Sequence, residues 1–370
     1  MGQFEDATSL RELHKAIRQC KRGVSHKEGP VDWYTHGLCK ARALQDQLRG
    51  GRYKLRPGVP VEIYRPKRRT AIAPWFKDRV WQRSMCNNGV YDDLTRSLVY
   101  DNVACQTGKG TDLAIRRTVA ALQHMYRVSG SNDGWGVHLD GKKYFPMTPQ
   151  SHVRDQDHRL VRERRYHQYL DEIVASVKDP RDPAEIAADP FGPRGTGLGS
   201  QINQLNQVAL MSEVDHELRC FCRFAERYMD DYLVLDNDRS ICERAGKVIS
   251  NGYARHGLEC KDLGGVFRVK DGFYFLRHYF VLTDTGKVII RLHPETMRRE
   301  RAALLALKAD VDAGRRTMED VQRHYQCFIA SAEYSTGDGC IRDMDAFYTK
   351  VFRARPVYKR SRRYLYGKKC

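Results

Sequence analysis

The stretch Arg227-Tyr228-Met229-Asp230-Asp231-Tyr232-Leu233-Val234-Leu235 constrains the fold more than any other part of the chain. Two adjacent aspartates stand between apolar β-formers, a pattern that folds as strand, tight turn and strand with both acids on the turn. Adjacent like charges repel and each costs desolvation, so such a pair persists mainly where a cation collects it. A second short strand, Gly134 to Leu139, ends in Asp140 and is followed by Gly141-Lys142-Lys143-Tyr144-Phe145. Three carboxylates from two strands can hold two divalent cations about 3.5–4 Å apart, which activate an attacking hydroxyl and stabilise a departing pyrophosphate. The same residues also allow a blander arrangement, an exposed Asp-Asp turn with Asp140 as a helix cap. Their conjunction on a strongly basic chain argues against it.

That basicity is large. Sixty-four Lys and Arg against 46 Asp and Glu leave a net charge of +18, with a pI near 9.4. Such an excess costs self-repulsion in the compact state, and its usual counterpart is a polyanion, nucleic acid first. With 370 residues, 41% of them hydrophobic, the chain suits two or three subdomains sharing a core. No apolar run approaches the roughly 18–20 residues of a membrane helix. Met1-Gly2-Gln3-Phe4-Glu5-Asp6 has no basic flank followed by an apolar stretch, so no secretory signal and no membrane partner are expected, and the expected location is cytoplasmic. Of the eleven cysteines, Cys220-Phe221-Cys222 are too tightly spaced for a zinc knuckle and no CxxC exists. They are expected to be reduced, mostly buried thiols, with no zinc site.

Along the chain, Leu10, Leu13, Ala16 and Ile17 give the first 50 residues a helical period. Val61-Glu62-Ile63-Tyr64 is strand-like and runs into a basic loop, Pro66-Lys67-Arg68-Arg69. Helix resumes near Phe76 and again from Leu113 to Tyr126, after Gly108-Lys109-Gly110. Residues 151–194 are polar and helical, closing in the loop Asp189 to Arg194, and a helix is expected over roughly Gln201 to Phe224. Thr283-Asp284-Thr285-Gly286 marks a hairpin between two further strands, and the pattern is helical from Glu295 onward. This order is α+β, not a doubly wound sheet.

Tyr228-Met229-Asp230-Asp231 resembles the signature of reverse transcriptases, and Leu139-Asp140 with Tyr144-Phe145 resembles their first catalytic motif. The likeness is ordered along residues 40 to 290. Arg69 to Pro74 with Asp78-Arg79-Val80 is similar to the fingers segment of the bacterial enzymes, and Asn102 to Cys105 with Gly108 to Thr111 and Ala114 to the stretch after it. Gly195 through Asp215 is similar to the helix motif between the catalytic strands, and His256 to Glu259 with Phe275-Leu276 to the closing palm motifs. The resemblance implies a right-hand polymerase fold: an N-terminal helical extension over 1–50, fingers and palm over 51–290, and a helical thumb with a basic tail over 291–370.

It also implies roles. Asp140 and Asp230 would be the principal ligands of two Mg²⁺ ions, or Mn²⁺, with Asp231 completing the catalytic trio and the Gly141 carbonyl adding a ligand. Lys67 and Arg69 would grip the incoming triphosphate, with Leu198 and Gly199 beside it. Phe145 would exclude a 2′-hydroxyl, so that dNTPs are used; an ordinary core aromatic is its alternative. Tyr228, Met229 and Gln204 would lie along primer and template. Leu198-Gly199-Ser200-Gln201-Ile202-Asn203-Gln204 departs from the common Gln-Gly…Ser-Pro form towards that of diversity-generating and antiphage-defence enzymes, and Asn203 fits neither cleanly. Lys261 follows Gly257-Leu258 unusually closely, and Arg277 replaces a glycine of the primer-grip hairpin. With no ribonuclease H, integrase or endonuclease segment after the helices, the expectation is a domesticated retroelement enzyme. It would copy a template or dedicated noncoding RNA into DNA for antiphage defence, with an accessory protein or a second copy of the chain as further partner. A mutagenic diversity-generating enzyme and a catalytically silent RNA-binding scaffold are the alternatives. The eight cations of residues 353–369, interleaved with Tyr358, Tyr364 and Tyr366, are expected to contact RNA.

Overall fold

The computed structural model describes residues 2–22, 28–64 and 68–360. Lys67 and the tail beyond Arg360 lie outside them. The chain begins with α1 (Gln3–Ala7), α2 (Leu10–Cys20), α3 (Glu28–Thr35) and α4 (Gly37–Arg49), followed by the hairpin of β1 (Val59–Ile63) and β2 (Arg69–Ala73). Ser9 caps α2 by accepting from the Glu12 N–H at 3.3 Å, which satisfies a donor the first turn leaves open. Next come α5 (Phe76–Met85), α6 (Tyr91–Thr95) and α7 (Thr111–Ser129), then β3 (Trp135–Gly141), α8 (Tyr144–Met147), α9 (Gln150–Leu160), α10 (His167–Ala175) and α11 (Pro183–Ala188). One core joins the N-terminal helices to this region: Trp81 is fully buried and meets Phe4, Tyr166 and Tyr169 edge-on or nearly so.

The centre of the molecule is built from α12 (Gln201–Leu210), α13 (Ser212–Arg219), β4 (Phe224–Tyr228), β5 (Asp231–Asp236), α14 (Arg239–Arg255) and β6 (Cys260–Arg268). Its four strands pair antiparallel in the order β4-β5-β3-β6. One face of this sheet, with Val137, Leu139, Tyr232 and Val234, packs on α13 and α14. The opposite face, with Leu233 and Leu235, packs on α7 and on a second antiparallel sheet of β7 (Phe273–Phe275), β8 (His278–Leu282) and β9 (Val288–Leu292). The chain continues as α15 (Pro294–Asp312), α16 (Met318–Ala332) and α17 (Gly339–Phe352), which bury Leu304, Tyr325, Ile329 and Met344 against one another. The molecule thus mixes helices with antiparallel sheets, which agrees with the expected α+β class. Among the described residues no helix is long and apolar enough to cross a membrane.

Three expectations are corrected. The helix expected over Gln201 to Phe224 is two helices, because Met211 leaves helical geometry (φ −96°, ψ 15°), and Phe224 already opens a strand. Asp231 is the first residue of β5, so Asp230 alone of the pair lies on the turn. Among the described residues the cysteines are free thiols but not mostly buried: Cys39, Cys105, Cys220 and Cys327 are exposed, against buried Cys20, Cys86, Cys222 and Cys242. The helix and loop positions of the exposed four face solvent.

Candidate active site

β4 and β5 are joined by a two-residue loop, Met229-Asp230, with Tyr228 paired to Asp231. Met229 takes the left-handed conformation (φ 63°), which a tight hairpin demands and a non-glycine residue resists. Arg227 offsets that cost. Fully buried, it donates to Asp215 through Nε (2.8 Å) and Nη2 (2.6 Å), to the Val208 carbonyl (2.7 Å) and to the Met229 carbonyl (2.8 Å). Asp215 also accepts from the Tyr232 hydroxyl (3.0 Å) and the Asn102 amide (3.1 Å). The pair is therefore hydrogen-bonded on all sides, the condition under which a buried ion pair is tolerated, and it fixes the turn from beneath.

Asp140 is the last residue but one of β3, where the register sets it opposite Asp231 on one side and Lys261 on the other. Its neighbour Gly141 donates its N–H to the Asp230 carbonyl (3.1 Å), which also accepts from the Tyr253 hydroxyl (2.6 Å). A Cβ on Gly141 would come within 3.1 Å of Asp230 Cβ and 3.2 Å of the Tyr253 hydroxyl, so glycine is what lets the two strand ends close. Burial pushes the Asp230 carboxyl up to about 7; Asp140 adds to the rise, Asp231 adds further, and Arg69 opposes it. Lys261 Nζ stands 3.8 Å from Asp140. Asp231 is hydrogen-bonded to His138 Nε2, whose ring meets Phe275 edge-on at 5.7 Å.

The structure thus gathers Asp140 and Asp230 with Arg69 in electrostatic reach, and places Asp231 on the imidazole. Among the described residues no three His, Cys, Asp or Glu side chains form a ready metal cage. The donors of the Asp140–Asp230 pair are hard oxygens, and a carboxyl raised by a neighbouring carboxylate is one that a divalent cation would relieve. Mg²⁺ or Mn²⁺ fits that donor set. Two residues escaped the sequence reading. His138 could have been found from the strand period, two residues before Asp140 on the same face. Tyr253 carries no local signal, because it arrives from α14.

Arg69, exposed at the start of β2, pairs with Ile63. Leu198 and Gly199 are stitched to the same strand: the Leu198 carbonyl accepts from the Ile72 N–H at 2.8 Å. Gly199 has φ +124°, and a Cβ there would lie 2.7 Å from the Ile72 oxygen. Phe145 is half-buried in α8, partly packed on the core beneath the sheet, and its carbonyl accepts from the Thr196 N–H (2.9 Å). The loops carrying Phe145, Leu198 and Arg69 are therefore one connected unit. Asn203 is buried and donates to the Gly197 carbonyl at 3.2 Å, so it shapes the loop. Gln204 lines a separate cavity of about 320 Å³ with Arg79, Arg83 and Gly199. Tyr228 and Asp231 border an open cleft of about 1080 Å³ with His138, the Leu276-Arg277 turn and Lys109; Asp140 and Asp230 lie outside its lining. At the other end, Tyr358 donates to Asp345 (2.8 Å) and Arg360 pairs with Asp338 (3.0 Å), so this part of the basic segment is docked on the C-terminal helices.

No protein-family model and no curated protein sequence matches the chain. Among solved structures it is similar to telomerase from Candida albicans in complex with a fragment of telomeric RNA, at 13% identity and TM-score 0.46, over 82% of this chain and 56% of that one. It is also similar to apo telomerase from Candida tropicalis truncated from its C-terminal domain, at 11% identity and TM-score 0.44, over 68% of this chain and 60% of that one. The chain therefore spans less than two thirds of either.

Proposed function

We propose that the chain is an RNA-directed DNA polymerase of right-hand architecture, with the β1–β2 hairpin in the fingers, the four-stranded sheet as palm and α15–α17 as thumb. One observation carries this reading. A carboxylate of β3, Asp140, and one of the β4–β5 turn, Asp230, converge at one end of an antiparallel sheet, and the second is raised to about 7 by burial and by the first. Such a pair is costly to maintain without a cation to bind. A divalent cation held by Asp140 and Asp230 would supply the positive charge that favours attack of a 3′-hydroxyl on a nucleoside triphosphate with loss of pyrophosphate.

The chain's own residues set the rest. Arg227 and Tyr253 hold the Met229-Asp230 turn, so the carboxylates need little reorganisation. Arg69 offers a planar fork to phosphate oxygens. Phe145, tied to the Leu198 loop through Thr196, would narrow the space beside a sugar. Since Asn203 serves loop architecture, it does not favour a defence role over a diversity-generating one. The scaffold reading draws on a different observation: Lys261 stands beside Asp140 and His138 is hydrogen-bonded to Asp231, so both acids have protein partners without a metal. Mg²⁺-dependent dNTP incorporation on a primed RNA template separates the two. Polymerase activity lost in Asp230→Asn with RNA binding retained supports the enzyme; no incorporation by the wild type under any divalent ion supports the scaffold.

A further inference from the structure

Part of the excess positive charge gathers far along the chain from the carboxylates. α2 buries Leu13, Ala16 and Ile17 on one side. Arg11, Lys15 and Arg18 follow at four- and three-residue steps, so they share a single stripe on the other side, and Arg22 stands in the turn just beyond the end of the helix. With Lys21 and Tyr34 of α3 they line a cavity of about 670 Å³ that has no acidic side chain in its lining. Lys15 pairs with Glu12 (2.9 Å), whereas Arg11, Arg18 and Arg22 have no ion pair among the described residues. Lys21 Nζ sits 3.0 Å from the centroid of the Tyr34 ring, and Tyr34 is 47% exposed. Like charges placed this close repel one another, a cost that a bound polyanion removes.

We propose that this cavity is a binding site for single-stranded RNA, with the arginine stripe on consecutive phosphates and Tyr34 as a stacking platform for a base. From Arg11 to Arg18 the stripe runs about 10 Å at the helical rise, and Arg22 extends it past the end of the helix. Cations flanking an exposed aromatic are the combination that single strands use. A membrane surface would require an apolar flank beside the charges, whereas Leu13, Ala16 and Ile17 on the apolar side of α2 are buried. The site is also continuous with the centre of the molecule. At the end of α2, the Arg79 guanidinium donates to the Cys20 carbonyl (3.4 Å), and Arg79 lines the next cavity together with Gln204. That the strand held here is the template rests on the polymerase reading; the binding itself does not.

The test uses the full chain and a labelled single-stranded RNA of about 20 nucleotides, with anisotropy followed across a salt series. Arg18→Ala/Arg22→Ala should weaken binding about tenfold and flatten the log–log salt slope by about 1.4, at roughly 0.7 for each phosphate left unneutralised. Arg18→Lys/Arg22→Lys should keep the slope, which separates an effect of charge from an effect of misfolding. Tyr34→Ala should weaken binding on the order of tenfold at unchanged slope. An unchanged affinity and slope in the double alanine variant overturns the proposal. So does an equal weakening on duplex RNA or on phosphatidylserine vesicles, since the face would then be a general anion surface. If the wild type binds RNA through this stripe yet incorporates no dNTP, the polymerase reading falls and the site stands.

Discussion

Replacing Asp230 with Asn should abolish catalysis and at the same time stabilise the metal-free protein. The carboxyl rises from an ordinary 3.8 to about 7 in the folded state, so the folded chain binds more protons than the unfolded one between those values. Stability is therefore lost as pH climbs from about 4 to about 7, and the full penalty stands above pH 7. At 1.36 kcal/mol per pH unit the ceiling is about 4 kcal/mol; the partly solvated rim position reduces it to roughly 2 kcal/mol. An unfolding entropy of about 2.1 cal/mol/K per residue converts this to a rise in Tm of roughly 2–3 °C for a chain of this length. The assay is thermal unfolding in chelator at pH 8 and pH 5, wild type against Asp230→Asn, with primer extension alongside. The gain should shrink by more than half at pH 5, where wild-type Asp230 is protonated when folded. Equal stability of the two proteins at pH 8, or a gain independent of pH, would refute the reasoning, and retained extension would remove Asp230 from the cation site.

Phe145→Ala should raise ribonucleotide incorporation relative to dNTP; an unchanged ratio in single-nucleotide extension makes Phe145 plain core. Gly199→Ala places a Cβ 2.7 Å from the Ile72 oxygen at φ +124°, so a loss of about 2–3 kcal/mol in urea unfolding is expected. Asp215→Ala leaves Arg227 charged, buried and unpaired, and should cost about 3–5 kcal/mol, visible as a Tm several degrees lower.

What the sequence made legible was whatever is decided locally. Thr283 to Gly286 has its turn chemistry in four residues, and the strands on either side, β8 and β9, form as read. The Asp-Asp stretch reads as a hairpin for the same reason. Its register was not legible, because Asp231 joins β5 through pairing with Asp140 on a strand 91 residues earlier. β2 has no strand signature of its own, since Arg69-Thr70-Ala71-Ile72-Ala73 holds one charged residue, one polar residue, two alanines and a single large apolar residue; its strand form comes from β1 and from the Leu198 carbonyl. β6, with Lys261, Gly264 and Gly265, likewise lacks alternation and is held by β3 across a register shift. The break at Met211 was hidden by continuity of burial: Leu210, Met211, Val214 and Leu218 all enter one core, so the apolar period continues where the helix does not.

The Leu276-Arg277 turn shows how strain can mark a working surface. Phe275 pairs with His278, so the loop between β7 and β8 has two residues, and both have positive φ (47° and 67°). Glycine and asparagine favour such a turn; here a leucine and an arginine occupy it, each at a cost of about 1 kcal/mol. The loop is held in place regardless, since the Arg277 carbonyl accepts from the His293 N–H (3.1 Å) and Leu276 packs against the core. Its exposed arginine faces the cleft that Tyr228 and Asp231 border. Strain that the surroundings enforce at a cleft points to use of the side chain. Arg277→Gly should therefore move two measurements in opposite directions. Folding stability should rise by about 0.5 kcal/mol, the relief of φ strain less the added freedom of glycine in the unfolded chain. Affinity for a primed RNA template should fall, with a flatter salt slope because one phosphate goes unneutralised. A variant less stable than the wild type contradicts the strain argument, and one with unchanged affinity and slope shows that the guanidinium does not touch nucleic acid.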